Sequence, residues 1–251
     1  FAVSMAGVLR AGFTCVNVNP LYTPRELEHQ LKDSGATAII ILENFAKTLG
    51  LVLERTAIRH ICLTSMGDLL GGLYGSWITF AVRHLAKMVP AFDLPLGSAA
   101  GTGSPHRQVT LFTKALAAGA ERKLIPSTAT LDSTAFLQYT GGTTGLSKGA
   151  VLTHRNIVAA TLQAHTWFTP ALEGRVKANE THIVAALPLY HIFALTVSMF
   201  AMRLGGSLSL IPNPRDIPKF VKVLKKRPVH VFPAVNTLFN ALLNNPEFRQ
   251  L

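Results

Sequence analysis

The residues whose types and spacing could do chemistry lie together in Tyr139-Thr140-Gly141-Gly142-Thr143-Thr144-Gly145-Leu146-Ser147-Lys148-Gly149. The run holds four glycines, three threonines, one serine and one lysine, and no acid. Glycine lets a backbone take positive φ and approach a ligand closely. Successive N–H groups in such a turn can form an anion-binding nest, to which hydroxyls and one ammonium add donors. The chemistry that needs this set is the holding of a polyphosphate, although an ordinary Gly/Thr-rich hairpin turn uses the same residues. Two other phosphate loops are excluded by spacing. Ser147 precedes Lys148 and Gly149 follows it, which breaks the Gly-x-x-x-x-Gly-Lys-Ser/Thr pattern. No Gly-x-Gly-x-x-Gly occurs in the run, and Gly101-Thr102-Gly103 lacks the third glycine.

Position by position, the run resembles the nucleotide-binding signature of the adenylate-forming enzymes, which include acyl-CoA synthetases, luciferases and peptide-synthetase adenylation domains. Leu152-Thr153-His154-Arg155-Asn156 extends the match. The resemblance implies that Thr140, Gly141, Gly142, Thr143, Thr144, Gly145, Ser147, Lys148 and Gly149 bind ATP. It also implies that Thr143, Thr144, Ser147 and Lys148 hold its β- and γ-phosphates, with Thr143 and Thr144 on the Mg²⁺ side.

The elements that must position this loop alternate. Ala135–Tyr139 and Ala150–Leu152 read as strands on either side of it. Upstream, the expected elements are a helix over Ala2–Ala11, a strand over Thr14–Val18, and a helix opened by the capping box Thr23-Pro24-Arg25-Glu26 and ended by Gly35. Thr37–Leu42 is an apolar, β-branched run of the kind buried in parallel sheets, and His60–Thr64 is a further strand. Residues 90–107 read as a loop, followed by a short helix near Phe112–Gly119. Downstream come a helix over Asn156–Phe168 and a connector over Thr169–Glu180. Strand–helix pairs then follow at His182–Leu187 with Tyr190–Leu204, Ser207–Ile211 with Pro218–Lys226, and His230–Phe232 with Val235–Asn244. Such repeated βα units predict an α/β fold of two helix-flanked, largely parallel sheets. The expected lobes are 1–172, ending with the loop and its helix, and 178–251, an incomplete second lobe.

Tyr74–Val89 interrupts the alternation. Ser76, Thr79, Arg83 and Lys87 mark one helical face, and Trp77, Phe80, Ala81, Leu85 and Met88 the other. A basic amphipathic helix with a tryptophan can lie in an anionic membrane interface; the competing expectation is that the stripe packs on its own domain.

The chain of 251 residues is 49% hydrophobic with a net charge of +11, which suits a globular enzyme and excludes disorder. Excess basic charge suits nucleic acid, anionic lipid or phosphate-rich ligands. No aromatic interleaving of the basic residues supports nucleic acid. Cys15 and Cys62 lack metal or redox spacing, which predicts buried free thiols in a reducing cytoplasm. No signal-peptide pattern opens the sequence, though a truncated start would hide one. The apolar run from Leu187 to Met202 falls short of the roughly 20 residues of a membrane span. The expected location is therefore cytoplasmic, peripheral to the inner membrane face if 74–89 touches it. Phe1 opens inside an apolar helical pattern without a cap, and Arg249-Gln250-Leu251 ends without a breaker, which predicts a piece of a longer chain.

Leu187-Pro188-Leu189-Tyr190-His191-Ile192-Phe193-Ala194-Leu195 resembles the segment of this superfamily that places an aromatic or histidine beside the reacting carboxylate. Where some fatty-acid ligases carry a tunnel-gating tryptophan, this sequence has Leu195. Asn19-Pro20-Leu21-Tyr22-Thr23, Asn213-Pro214-Arg215-Asp216-Ile217-Pro218 and Val235–Leu243 resemble bacterial long-chain fatty-acid–CoA ligases. That likeness implies His191 and Lys148 as catalytic residues. It implies Tyr190, His191, Phe193, Leu195, Val235, Asn236, Leu238 and Phe239 as the fatty-acid pocket. The implied reaction uses fatty acid, ATP, Mg²⁺ and CoA, with a homodimer among the partners to be tested. A Tyr-Gly-x-Thr-Glu segment, a Thr-Gly-Asp segment and the mobile C-terminal domain with its lysine are not found in residues 1–251. The alternatives are another adenylate-forming ligase, such as an aryl-CoA ligase, or a non-catalytic nucleotide- or lipid-binding fragment.

Overall fold

A computed structural model of the chain describes residues 1–94, 107–141 and 147–251. These residues form an α/β fold in two compact units, one of residues 2–128 and 139–150, the other of residue 1, 129–138 and 151–251.

In the first unit, α1 (Ala2–Arg10) leads to β1 (Cys15–Asn17) and α2 (Pro24–Asp33). Thr23 Oγ1 accepts from the Glu26 N–H, and the Glu26 carboxylate accepts from the Thr23 N–H, so the capping box forms as expected. Gly35, at φ 63°, turns the chain after the helix. Strands β2 (Ala38–Leu42), β3 (His60–Thr64) and β4 (Gln108–Leu111) run parallel, with Ile39 opposite Ile61 and Ile61 opposite Val109. Helix α3 (Ala46–Val52) and α2 cover one face, and Leu27, Leu31, Leu49, Val52, Ile58 and Ile61 close the core between them. Strand β2 departs from the sequence expectation. Ile39 and Ile41 pack on that core, but Ala38 and Ile40 on the other face are exposed, so the run is buried on one side only. Strand β4 lies just after the expected loop and is too short to show in the pattern; pairing with β3 defines it. It leads to α5 (Phe112–Ala120).

Helix α4 (Gly72–Phe80) continues into a π-helical turn over Ala81–Leu85. Gly75 is buried against Gly67, where a Cβ on Gly75 would stand 2.4 Å from the Gly67 carbonyl oxygen. The Arg83 guanidinium forks onto the buried Glu43 carboxylate, at 2.9 Å from Nε and 2.6 Å from Nη2, which raises the arginine pKa. On the polar side Arg83 reaches Glu43 and Thr79 is half-buried while Ser76 and Lys87 are exposed, and Leu73, Tyr74, Trp77, Phe80, Leu85 and Met88 are exposed as well. The expectation that the apolar stripe packs on its own domain is not met.

Strands β5 (Thr134–Thr140) and β6 (Lys148–Thr153) flank the glycine-rich run and belong to a sheet ordered β1-β5-β6. Downstream, α6 (His154–Leu172) begins with a Thr153–Asn156 capping box and carries Pro170 near its end. Strands β7 (His182–Ala185) and β8 (Ser207–Leu210) pair in parallel, and Ile183 bridges Val231. Helix α7 (Ile192–Leu204) packs Val197, Phe200 and Ala201 on this sheet together with Phe168 and Leu172 of α6. Helices α8 (Ile217–Leu224) and α9 (Asn236–Leu243) supply Phe220, Val221, Leu238 and Leu242 to a second cluster around Val184. Cys15 and Cys62 are free but half-buried rather than enclosed; burial raises both thiol pKa values, that of Cys15 to about 11.

Candidate functional site

Gly142, Thr143, Thr144 and Gly145 lie outside the described residues. The two roots of the run are described. Ala135, Phe136, Gln138 and Tyr139 are buried along β5, and Thr140 and Gly141 emerge exposed at its end. On the return, Ser147 is half-buried and Lys148 opens β6 with its side chain exposed. Among the described residues, Lys148 therefore stands exposed where the chain enters β6, with the buried residues of β5 behind it.

Both roots are tied within their unit. The Tyr139 hydroxyl donates to Asp33 Oδ2 at 2.5 Å, and burial together with that carboxylate raises the phenol pKa. His29 Nε2 donates to the Ser147 carbonyl at 3.0 Å. Gly149 leaves room for the Tyr139 ring, since a Cβ there would stand 2.9 Å from its Cε2. His29 and Asp33 carry no motif, and their partners lie 118 and 106 residues away, so sequence reasoning passes over them.

In the other unit, Tyr190 and His191 form the turn that opens α7. The His191 ring accepts from the Phe193 N–H through Nδ1 at 3.4 Å and is otherwise exposed. The Tyr190 carbonyl accepts from Gln138 Nε2 at 2.9 Å, which fixes the turn to β5. Phe193 is exposed and Leu195 is enclosed. At the start of α9, Val235 and Asn236 are exposed and Leu238 is buried, while the Phe239 ring meets Phe232 edge-on at 5.2 Å. The structure therefore brings Tyr190, His191 and Phe193 together at one helix start, and Val235, Asn236, Leu238 and Phe239 at another.

No group of three or more His, Cys, Asp or Glu side chains that could hold a metal occurs among the described residues. No helix among them is long and apolar enough to cross a membrane.

The AMP-binding enzyme family matches residues 1–251, the whole chain. The chain belongs to that family. A long-chain-fatty-acid–CoA ligase of Escherichia coli O157:H7 is 48% identical over 252 aligned residues, which cover 100% of this chain and 42% of the relative. The chain thus spans less than half the length of the relatives it matches. Among solved structures, an anthranilate CoA ligase in complex with anthranoyl-AMP superposes at TM-score 0.70 with 20% identity, covering 98% of this chain and 40% of that one. A long-chain-fatty-acid–CoA ligase from Archaeoglobus fulgidus superposes at TM-score 0.63 with 20% identity, covering 97% and 39%. At these identities the two structures establish the fold alone.

Proposed function

We propose that the protein carrying this chain activates a long-chain fatty acid with ATP and transfers it to CoA. The observation that carries the reading is the identity with a long-chain-fatty-acid–CoA ligase over the whole chain. The acid-free loop, whose Lys148 is exposed at its exit, agrees with it. A fatty carboxylate oxygen attacks the α-phosphorus of ATP and pyrophosphate leaves, giving the acyl-adenylate. The CoA thiol then attacks the acyl carbon, its proton passes to solvent, and AMP leaves. Lys148 neutralises charge as it builds on the departing pyrophosphate, and Thr143, Thr144 and Ser147 hold the same phosphates. His191 borders the carboxylate, and Tyr190, Phe193, Leu195, Val235, Asn236, Leu238 and Phe239 line the acyl path. Thr143 and Thr144 would face Mg²⁺, which would offset phosphate charge when bound.

The test is thioester formation by the full-length protein from palmitate, ATP, Mg²⁺ and CoA, with anthranilate and 4-coumarate as competing acids. Preference for palmitate is expected, and Lys148→Ala should lower pyrophosphate exchange by on the order of 10²-fold. Preference for an aromatic acid would assign the protein to the aryl-CoA ligases. Exchange at the wild-type rate in the variant would remove Lys148 from the mechanism.

A peripheral contact with anionic membrane through 74–89 belongs to this proposal, because α4 exposes Leu73, Trp77 and Phe80 rather than packing them.

A further inference from the structure

We propose that α2 braces the phosphate-binding loop, with His29 and Asp33 as positioning residues that fasten the exit and the entry of the loop. The two residues are four apart, so they share one helical face. His29 Nε2 holds the Ser147 carbonyl at 3.0 Å, just before Lys148. Asp33 Oδ2 holds the Tyr139 hydroxyl at 2.5 Å, just before Thr140. The Tyr139 ring lies between Asp33 and Gly149, where a Cβ would meet Cε2 at 2.9 Å and Cζ at 3.0 Å. Gly149 is thus required for close approach of the two roots rather than for an unusual φ.

The helix that carries the brace is itself fixed. Its capping box sets the N-terminus, Leu27 and Leu31 are buried in the core, and Gln30 Nε2 donates to the Asn17 carbonyl at 2.8 Å. Asp33 is the last residue of α2, where a carboxylate opposes the helix dipole. Helix stability alone disfavours it there, so its contact with Tyr139 is the reason on the structure for an acid at this position. Donors aimed at a phosphate act well only when they need not reorganise, and a displacement of about 1 Å at a reacting centre can cost on the order of 10²-fold in rate. Tying both roots to one rigid helix meets that requirement.

The inference rests on the phosphate-binding reading, and the experiment separates the two. In the full-length protein, His29→Ala, Asp33→Ala and Tyr139→Phe would be compared with wild type for KM of ATP, KM of palmitate, kcat, Tm and direct binding of radiolabelled ATP by equilibrium dialysis. Each variant should weaken ATP binding by about 10-fold, the equivalent of one ordinary hydrogen bond, and leave the KM of palmitate unchanged. Tm should hold, or rise for Asp33→Ala as the opposed charge leaves the helix end. His29→Gln keeps a donor at the Nε2 position and Asp33→Asn keeps an acceptor, so both should restore ATP binding. The combination of Asp33→Ala with Tyr139→Phe should cost no more than either alone. Unchanged ATP binding, or equal losses for both substrates with a fallen Tm, overturns the brace. A wild-type protein that binds ATP but makes no acyl-CoA overturns the ligase reading alone, and ATP dialysis on the variants still decides the brace. A wild-type protein that binds no ATP overturns both.

Discussion

His182 shows what one enclosed residue does outside the reaction. Its Nδ1 lies 2.8 Å from the Pro228 carbonyl, which can only accept, so Nδ1 carries the proton. Nε2 then accepts from Ser209 Oγ at 2.9 Å. The ring is neutral in this arrangement, and its pKa lies below the ordinary 6.5 because burial disfavours the charge; Arg227 and His230 push the same way. The unfolded chain therefore binds this proton more readily than the folded one, and stability rises with pH. The contribution is present above about pH 6.5 and is lost as pH falls from there toward the folded value. Carboxylates held low by hydrogen bonds, Glu28 by Lys32 and Glu247 by Lys225, act only below their ordinary 4.5, in a separate window. Thermal unfolding of the full-length protein should show a fall in Tm from pH 7.5 to 5.5. His182→Asn keeps a donor toward Pro228 and cannot titrate, so its Tm should be lower at pH 7.5 but flatter with pH. Parallel profiles for the two proteins would remove His182 as the source.

At the scale of elements, α4 presents the feature that separates sequence pattern from structure. Its two faces are legible in the sequence, but which of its residues touch the rest of the unit is decided by partners that periodicity does not reveal. Those partners are the buried Glu43 that takes Arg83 and the close contact of Gly75 with Gly67. Substituting Arg83 would leave Glu43 buried without its cation, so a membrane test must change the exposed side instead. Trp77→Ser with Phe80→Ser in the full-length protein should reduce sedimentation with anionic vesicles and leave Tm in place. Unchanged binding, or no binding by the wild type, would end the membrane reading of 74–89. The same limit explains the rest. The capping box at Thr23 and the glycine after α2 are local, and the structure shows them where the sequence puts them. Strand β4 needs β3 beside it, and the half-exposure of β2 depends on what covers its second face. The composition of the loop suggests a phosphate-binding role from local sequence alone, whereas the ties to its roots come from residues more than 100 positions upstream.

For the whole molecule, the question is what residues 1–251 can do alone. They hold the residues proposed for the phosphate loop and the acyl path, but not the Tyr-Gly-x-Thr-Glu segment, the Thr-Gly-Asp segment or the C-terminal domain that the family resemblance leads one to expect. Catalytic groups that act as a unit are strongly non-additive, so the loss of several leaves little of the rate. The downstream sheet has two strands and one bridge to Val231, which leaves backbone edges to pair elsewhere. Large apolar side chains such as Leu73 at 91%, Ile125 at 83% and Trp167 at 82% exposure add surface that favours association. The isolated chain should therefore make no detectable palmitoyl-CoA, bind ATP more weakly than the full-length protein, and elute from a sizing column as more than one copy. Palmitate, ATP, Mg²⁺ and CoA would be incubated with the purified chain and with the full-length protein at equal concentration. Thioester formed by the chain at a rate near that of the full-length protein would show that the phosphate loop and acyl elements suffice, and that the missing segments are dispensable to the chemistry.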